Sequence, residues 1–412
     1  MSWIGALVRT ALMAGLAYYE WRRLVRDTGL RGAPRIAVTV AIGASVAPIV
    51  ASGIVRSSGI PRLSGPIAWP GFLGWAAFAL VFVGLVAVDA GRLVVWLSRR
   101  AARAAPMDPS RRQALARITG GAVSALAIAE VGAGIAAARR PPPVVDVPIR
   151  LARLPRAFDG FTIVQLTDLH VGATIDRDWV ASLVARSNAL APDLIALTGD
   201  LVDGSVDELR DDLAPLGELR ARHGVYFVTG NHEYYAGVDA WIAYLRALGI
   251  RVLRNERVAI QRSETGDGDP DGLAGGAGGR ASRGIERSVA AFDLAGIDDF
   301  SAAQHARGHG PDLTAALAGR DPARAVVLLA HQPRQVHDAA AHGVDLQLSG
   351  HTHGGQIWPW HYLVSLQQGG LIAGRHRIGP TELYISRGAG YWGPPVRFAA
   401  PSELTRVILR AG

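Results

Sequence analysis

The hydrophobic pattern divides the chain into a strongly apolar first third and a mixed remainder. Apolar runs occupy residues 36–55, 67–88 and 118–138. A helix of about 20 apolar residues spans the hydrocarbon core of a bilayer. Residues 3–19 are also apolar, but Arg9 lies in their middle, so a spanning helix and a buried helix both stay open there. The pattern predicts a membrane region over residues 1–140 with three to four transmembrane helices.

The remainder of the chain alternates short β-rich runs with amphipathic stretches. This alternation predicts an α/β domain over residues 156–412. Residues 141–155 begin with three consecutive prolines, which favour a stiff extended spacer, so we expect a Pro-rich linker there. Residues 261–286 are rich in Gly, Asp, Ser and Arg without an apolar period, which predicts a flexible surface insertion.

The distribution of arginine predicts an orientation in the membrane. The chain carries a net charge of +8, and much of it flanks the apolar runs. Arg-rich loops precede residue 36 and follow residue 96, whereas residues 56–66 contain only Arg56 and Arg62. Because Arg-rich loops stay cytoplasmic, the run over residues 118–138 should leave the cytoplasm. We therefore expect the α/β domain to be extracytoplasmic.

Polar residues follow five of the predicted strands directly. The strands are expected at residues 161–166, 194–197, 225–228, 326–329 and 346–348, and the polar residues that follow them are Asp168 and His170, Asp200 and Asp203, Asn231 and His232, His331, and His351 and His353. One Asp after a strand is usually a turn or cap residue. Five strands that each deliver Asp, Asn or His at their carboxyl end instead predict a ligand site, because open α/β sheets bind ligands there.

The residue types indicate a metal centre. The chain contains no Cys, which excludes disulfides and thiolate ligands. Carboxylates, imidazoles and an amide oxygen suit Mn, Fe or Zn. Seven candidate ligands among these strand-end residues are too many for one tetrahedral site. They suit a pair of ions that share a carboxylate and lie about 3.5–4 Å apart.

These motifs resemble a known family. Asp168-Leu-His170, Gly199-Asp200 with Asp203, Gly230-Asn231-His232-Glu233, His331 and Gly350-His351-Thr-His353 are similar to the five-block signature of the calcineurin-like metallophosphoesterases, over about residues 161–409. The sequence around these motifs is similar to a bacterial membrane-anchored branch of that family, as in Arg254-Asn255-Glu256 and Gly388-Ala389-Gly390-Tyr391-Trp392.

The resemblance implies a fold and a role for each residue. The fold would be a four-layer sandwich of two mixed β-sheets flanked by helices. Two divalent metal ions, Mn, Fe or Zn, would be bound: Asp168, His170 and His353 would hold the first, Asn231, His331 and His351 the second, and Asp200 would bridge them. His232 would protonate the leaving oxygen or stabilise the transferring phosphoryl group. Asp203 would orient His232, as a carboxylate fixes an imidazole.

The function expected is hydrolysis of a phosphomonoester or phosphodiester by a hydroxide that the two metals activate. A domain tethered outside the membrane makes phospholipid or cell-envelope phosphates the expected substrates. The alternative is a non-catalytic membrane protein that senses or binds phosphate or metal. A nucleic-acid substrate has little support, because the catalytic half has no stripe of basic and aromatic residues.

Overall fold

The computed structural model describes residues 3–58, 65–103, 105, 107–263 and 289–412. Most of the predicted surface insertion, residues 264–286, lies outside this part of the chain. The contacts divide the chain into two compact units. The first comprises Met1–Arg140 with Tyr391–Ala399, and the second comprises Pro141–Gly390 with Ala400–Gly412.

The first unit is helical. Its helices are α1 (Trp3–Trp21), α2 (Gly32–Ser58), α3 (Gly65–Ala101) and α4 (Pro109–Ala138), and a π-helical turn at Arg22–Arg26 follows α1. Among the described residues, Ala68–Ala101 and Pro109–Ala138 are long and apolar enough to cross a membrane, and Gly32–Pro48 is a shorter apolar stretch. Each predicted apolar run thus lies within a helix.

Local sequence signals mark where α4 begins and ends. The Asp108 side chain accepts hydrogen bonds from the backbone N–H groups of Ser110 and Arg111, and Pro109 occupies the first turn, where its missing N–H costs nothing. The helix ends at Ala138, just before the proline run. Residues 391–399 belong to the same unit, and the N–H of Arg397 donates to the carbonyl of Gly134 in α4 at 3.0 Å.

Asp89 on α3 joins three helical segments of this unit. It accepts a hydrogen bond from the Tyr19 hydroxyl at 2.7 Å. It also pairs with Arg23 at 2.7 Å and with Arg92 at 3.3 Å. Arg92 in turn donates to Thr119 of α4 at 2.7 Å. These contacts give Asp89, Arg23 and Arg92 partners within the helical unit.

The second unit contains two six-stranded mixed sheets. The first sheet has the order β1-β12-β2-β3-β4-β5 and the second has the order β10-β11-β9-β8-β7-β6. The strands are β1 (Val144–Leu151), β2 (Thr162–Leu166), β3 (Leu194–Leu197), β4 (Val225–Phe227), β5 (Arg251–Val252), β6 (Glu256–Ser263), β7 (Val289–Gly296), β8 (Val326–Leu329), β9 (Leu346–Ser349), β10 (Gly374–Ile378), β11 (Thr381–Ile385) and β12 (Leu404–Ala411).

Helices flank the two sheets. They are α5 (Arg177–Ala189), α6 (Val206–Leu213), α7 (Asn231–Ala236), α8 (Val238–Ala247), α9 (Leu313–Ala316), α10 (Val336–Ala341) and α11 (Trp360–Gln367). One buried apolar cluster contains residues from both sheets, among them Ile163, Leu194, Val327 and Leu348. The predicted four-layer sandwich of two mixed sheets is therefore confirmed.

The five strands predicted to carry ligands all form, as β2, β3, β4, β8 and β9. Strand β1 differs from the linker expected over residues 141–155. Its side chains alternate between exposed and buried, and it pairs in parallel with β12. Pro148 is tolerated there because β1 is an edge strand, on which a missing N–H breaks no interior ladder. The prolines that suggested a spacer are thus followed immediately by sheet.

Candidate metal centre

The structure gathers the predicted site residues where β2, β3 and β4 of the first sheet and β8 and β9 of the second sheet end. Because these strands run parallel within their sheets, their carboxyl ends lie at one edge. Gln165 connects the two sheets just below the site, since its amide donates to Thr198 at 2.8 Å and to the carbonyl of Ser349 at 3.0 Å.

A first group of ligand atoms comprises Asp168, His170 and His353, all buried. Nε2 of His170 lies 3.0 Å from Nε2 of His353. Nε2 of His353 lies 3.3 Å from Oδ1 of Asp168. Two imidazole nitrogens and a carboxylate oxygen that face one another can all bind one cation.

A second group comprises Asp200, His331 and His351. Nε2 of His331 lies 3.0 Å from Oδ2 of Asp200 and 3.3 Å from Nδ1 of His351. Nδ1 of His331 lies 2.8 Å from the carbonyl oxygen of Thr198 and donates to it, which leaves Nε2 for a ligand. Burial, followed by the charge of His331, lowers the pKa of His351 to about 3, so this imidazole is neutral as a ligand must be.

Asp200 lies between the two groups. The same oxygen, Oδ2, is 3.0 Å from His331 and 3.9 Å from His170. Its other oxygen, Oδ1, accepts a hydrogen bond from the backbone N–H of His232 at 2.8 Å. This position fits a carboxylate shared by two cations.

Asn231 supplies an independent test of whether a cation fits. It begins α7 and is buried, and within the described part of the chain no hydrogen bond reaches its Oδ1. A buried amide oxygen without a partner is costly in a folded protein. A cation would satisfy it, so the donor set suits the metals that the resemblance implies.

The backbone at five of the candidate ligands has an uncommon conformation. Asp168, His170, Asp200, His351 and His353 all have positive φ angles, between 50° and 75°. Such angles cost of order 1–3 kcal/mol each and persist only where the surrounding structure enforces them.

Two glycines allow the backbone to approach the carboxylates closely. A Cβ at Gly350 would collide with the Asp168 carboxylate, and a Cβ at Gly230 would collide with that of Asp200. Only glycine fits at both positions, because any side chain would overlap the neighbouring carboxylate.

Asp203 contacts both His232 and a candidate ligand. Its Oδ1 accepts hydrogen bonds from Nδ1 of His232 at 2.6 Å and from Nδ1 of His170 at 3.0 Å. Burial alone would raise the pKa of Asp203, but the charges and hydrogen bonds of the two histidines hold that pKa well below its usual range. Burial would likewise lower the pKa of His232, but Asp200 and Asp203 raise it to about 9.

Glu233 was part of the motif but had no role assigned from sequence. Its carboxylate is buried and accepts hydrogen bonds from the backbone N–H groups of Gly230 at 2.7 Å, Asp200 at 3.0 Å and Leu201 at 2.7 Å. It therefore fixes the turn that presents Asp200. A Glu three residues after a helix cap is a recognised capping pattern, and that signal is present in the sequence.

Tyr235 is a second residue beside the site that the sequence analysis did not identify. Its ring packs edge-on against His232, with centroids 5.1 Å apart, and against His305 at 4.9 Å. The side chain is 56% exposed. It forms a rim beside His232, and nothing in the local pattern distinguished it from a surface tyrosine on α7.

The chain is similar to known proteins over this region. Residues 161–355 match the family model described as "Calcineurin-like phosphoesterase". A "Transmembrane protein with metallophosphoesterase domain" from Danio rerio is 33% identical, over 98% of this chain and 88% of that protein. An "Uncharacterized metallophosphoesterase" from Helicobacter pylori (strain J99) is 36% identical, over 65% of this chain and 64% of that protein.

Among solved structures, a putative 5′-nucleotidase from Staphylococcus aureus is 12% identical with a TM-score of 0.35. The match covers 56% of this chain and 49% of that chain, so this chain spans about half of that protein's length. The chain belongs to the calcineurin-like metallophosphoesterases, a family of metal-dependent hydrolases of phosphate esters.

Proposed function

We propose that this chain hydrolyses phosphomonoesters or phosphodiesters at a centre that holds two divalent cations. The observation that carries the proposal is the position of Asp200, whose carboxylate lies between the two groups of ligand atoms. A shared carboxylate keeps two cations close enough to act on one phosphate. Mn, Fe and Zn suit this set of oxygen and imidazole donors.

Each predicted residue has a place in the proposal. Asp168, His170 and His353 would hold one cation, Asn231, His331 and His351 would hold the other, and Asp200 would serve both. When bound, the cations would neutralise charge on the phosphate and lower the pKa of a water molecule. The side chains themselves position the substrate phosphate and supply the proton.

His232 is the proposed proton donor to the leaving oxygen. Its pKa of about 9 keeps the imidazole cationic at neutral pH, which suits an acid. Because Asp203 engages Nδ1, we assign the proton transfer to Nε2. General acid catalysis of this kind contributes about 10²–10⁴-fold to a rate. Asp203 is a positioning residue, since it acts through the two histidines it contacts.

We also propose that the helices of the first unit cross a membrane three to four times, with the catalytic unit extracytoplasmic. The lengths of α3 and α4, and the name of the Danio rerio relative, support a membrane protein. The arginine asymmetry supports the orientation. In this arrangement residues 1–140 anchor the enzyme, residues 141–155 lead into it, and residues 156–412 carry the chemistry.

Phosphates of lipids or of the cell envelope are the substrates we propose. The support is proximity along the chain: only Arg139 and Arg140 separate the end of α4 from the catalytic unit. An active site tethered to a bilayer meets phosphate groups of the envelope at high effective concentration.

The test is hydrolysis of chromogenic bis-aryl and mono-aryl phosphates by the full chain in detergent. Metal is first removed with a chelator and Mn is then added back. We expect release that depends on Mn, with the ratio of diester to monoester turnover defining the preferred bond. Asp200→Asn should abolish turnover, and the matched control Asp239→Asn should not, since the Asp239 side chain is 82% exposed.

Folded protein that binds Mn but releases no product from either substrate would contradict the enzymatic proposal. That result would instead support the alternative of a membrane protein that senses metal or phosphate. Full activity of Asp200→Asn would contradict the assignment of the bridging carboxylate.

A further inference from the structure

A basic cavity opens where the π-helical turn after α1 leads into α2. Its volume is about 200 Å³, and its lining includes Trp21, Gly29 and three arginines, Arg26, Arg31 and Arg35. No acidic residue is among the described residues that line it. We call Arg26, Arg31 and Arg35 the cavity arginines. Every lining residue belongs to the helical unit, so the cavity is contained within that unit.

The charge of the cavity arginines is not balanced by neighbouring acids. The carboxylates of this region are engaged by another residue, since Arg23 pairs with Asp27 at 2.8 Å and with Asp89 at 2.7 Å. Within the part of the chain that the structure describes, no ion pair reaches a cavity arginine. Cations gathered in a concave site without counter-charge attract an anion from outside the protein.

The walls of the cavity are held in place by contacts among three helices. The Nε of Arg117 on α4 donates to the carbonyl of Thr28 at 2.8 Å, beside the lining residue Gly29. The Nε1 of Trp21 on α1 donates to Oγ1 of Thr39 on α2 at 3.0 Å. The Arg35 guanidinium lies 5.7 Å from the centre of the Trp21 ring. The cavity is therefore bounded by segments that are fixed to one another.

Helix α4 gives the level of this cavity in a membrane. The helix continues from Arg117 to Ala138, a length of about 31 Å at 1.5 Å per residue. The hydrocarbon core of a bilayer is about 30 Å thick. With α4 crossing the membrane, the turn that Arg117 holds lies at one membrane surface. In the orientation proposed above this is the cytoplasmic surface, where anionic lipids create a negative potential.

Exposed apolar side chains follow the cavity on α2. Ile36 comes directly after the cavity residue Arg35 and is 65% exposed, and Val40 is 63% exposed. The two residues are four positions apart and therefore lie on the same side of the helix. One helix thus presents a basic group at its start and an apolar surface along its next turn. This order matches a ligand that has an anionic head and an acyl chain.

We propose that the cavity arginines bind the phosphate group of an anionic phospholipid, whose acyl chain lies against Ile36 and Val40. Guanidinium groups suit this ligand, because their planar fork donates two parallel hydrogen bonds to phosphate. Basic pockets between transmembrane helices on the cytoplasmic side bind anionic headgroups in this way. The inference rests on the membrane crossing in the proposed function and is independent of hydrolysis at the metal centre.

The test counts bound lipid by native mass spectrometry of the full chain in detergent. Metal is removed with a chelator, so that no cation at the metal centre can hold lipid phosphate. The chain is titrated with dioleoyl phosphatidylglycerol, with dioleoyl phosphatidylcholine, and with glycerol phosphate as a soluble competitor that has no acyl chain.

Three double variants are compared with the native chain. Arg31→Gln with Arg35→Gln removes two cavity arginines, and Arg31→Lys with Arg35→Lys keeps their charge but not their fork. Arg111→Gln with Arg112→Gln is the matched control, because these two arginines are exposed on α4 and do not line the cavity.

We expect the native chain to bind phosphatidylglycerol more tightly than phosphatidylcholine. The cavity Gln pair should weaken binding of phosphatidylglycerol by about 30-fold, and the Lys pair should weaken it by less. The control pair should bind the lipid like the native chain. Glycerol phosphate should not displace the lipid, and Asp200→Asn should leave lipid binding unchanged.

Equal affinity for the two lipids would overturn the proposal, as would equal losses in the cavity and control Gln pairs. The Lys pair decides the matter for a chain that needs both charges to fold, since a Lys pair that binds exactly like the native chain would contradict recognition by the guanidinium fork. Displacement of the lipid by glycerol phosphate would assign the cavity to a soluble phosphate instead.

The same measurement separates this proposal from the enzymatic one. Loss of lipid binding in Asp200→Asn would place the lipid at the metal centre and overturn the cavity assignment. Specific lipid binding by a chain that releases no product from aryl phosphates would contradict only the proposed hydrolysis.

Discussion

Asp203 and His232 form a short polar contact at the candidate site, with 2.6 Å between Oδ1 and Nδ1. The same Oδ1 accepts a hydrogen bond from His170. One carboxylate thus orients both the proposed acid and a proposed ligand. Removing a hydrogen-bond partner of this kind usually lowers metal affinity or activity by about 10–100-fold.

We therefore predict that Asp203→Asn lowers kcat for aryl phosphates by about 10–100-fold and weakens Mn binding. At saturating Mn, the double variant Asp203→Asn with His232→Gln should lose little more kcat than His232→Gln alone, because Asp203 acts on the proposed acid through one hydrogen bond. Steady-state kinetics and Mn titration of the four proteins measure this. Losses that simply add would contradict a positioning role.

The second prediction concerns the pH at which His232 titrates in metal-free protein. Asp200 and Asp203 raise its pKa from 6.5 to about 9, against the effect of burial. A raised pKa stabilises the fold fully below pH 6.5, and this stabilisation is lost as the pH rises through 9. It amounts to at most about 3 kcal/mol. Histidine NMR of the chelated full chain should give a midpoint near 9, and Asp203→Asn should move that midpoint down. A midpoint near 6.5 in the native chain would contradict this view.

The third prediction concerns Glu233, which accepts three backbone hydrogen bonds in a buried position. At pH 9, above the pKa of about 7 to which burial raises the Glu233 carboxyl, Glu233→Gln should destabilise the chelated protein by roughly 2–4 kcal/mol, because buried N–H groups lose a charged acceptor. Glu208→Gln is the matched control, since Glu208 caps α6 in the same way at an exposed position. It should cost about 1 kcal/mol or less. The melting temperatures of the two variants, measured on the full chain, compare the two losses of stability. Equal shifts in melting temperature would show that burial of Glu233 contributes nothing.

The fourth prediction concerns Gly350. A Cβ at this position would collide with Asp168 and Thr167, so Gly350→Ala should displace a ligand and abolish Mn-dependent turnover. Gly217→Ala is the control, because a Cβ there lies 3.3 Å from a terminal atom of the flexible Leu248 side chain. Bound Mn is counted by atomic absorption after gel filtration. Normal metal content in Gly350→Ala would contradict the close approach.

Much of the site could be predicted from sequence because local signals carry it. Each short apolar run is followed at once by its ligands, so strand ends such as Leu166 and Leu197 and the residues beyond them were identified together. Parallel pairing places the candidate ligands of each sheet at one edge, and the packing of the two sheets brings the two sets together. The pairing of Asp203 with His232 was expected only from the family resemblance, and the contact of Asp203 with His170 was not predicted. Both contacts depend on how far each turn advances beyond its strand.

Long-range pairing was the part of the fold that sequence did not reveal. Strand β12 lies between β1 and β2, with Leu404 opposite Val144 and Ile408 opposite Thr162. No local period links segments so far apart in the chain. The same limit applies to Tyr391–Ala399, which belongs to the helical unit although the residues on both sides of it belong to the second unit.

The position of β12 has a consequence for biogenesis. Because this strand fills an interior place in the first sheet, β1 has no partner in that sheet until residues 404–411 have been synthesised. The ligand turns after β2 and β3 are made long before that sheet can be completed. The candidate metal centre is therefore completed late, after translation of nearly the whole second unit. A nascent chain arrested before residue 404 should carry the sequences of the candidate ligands without a completed sheet to hold them.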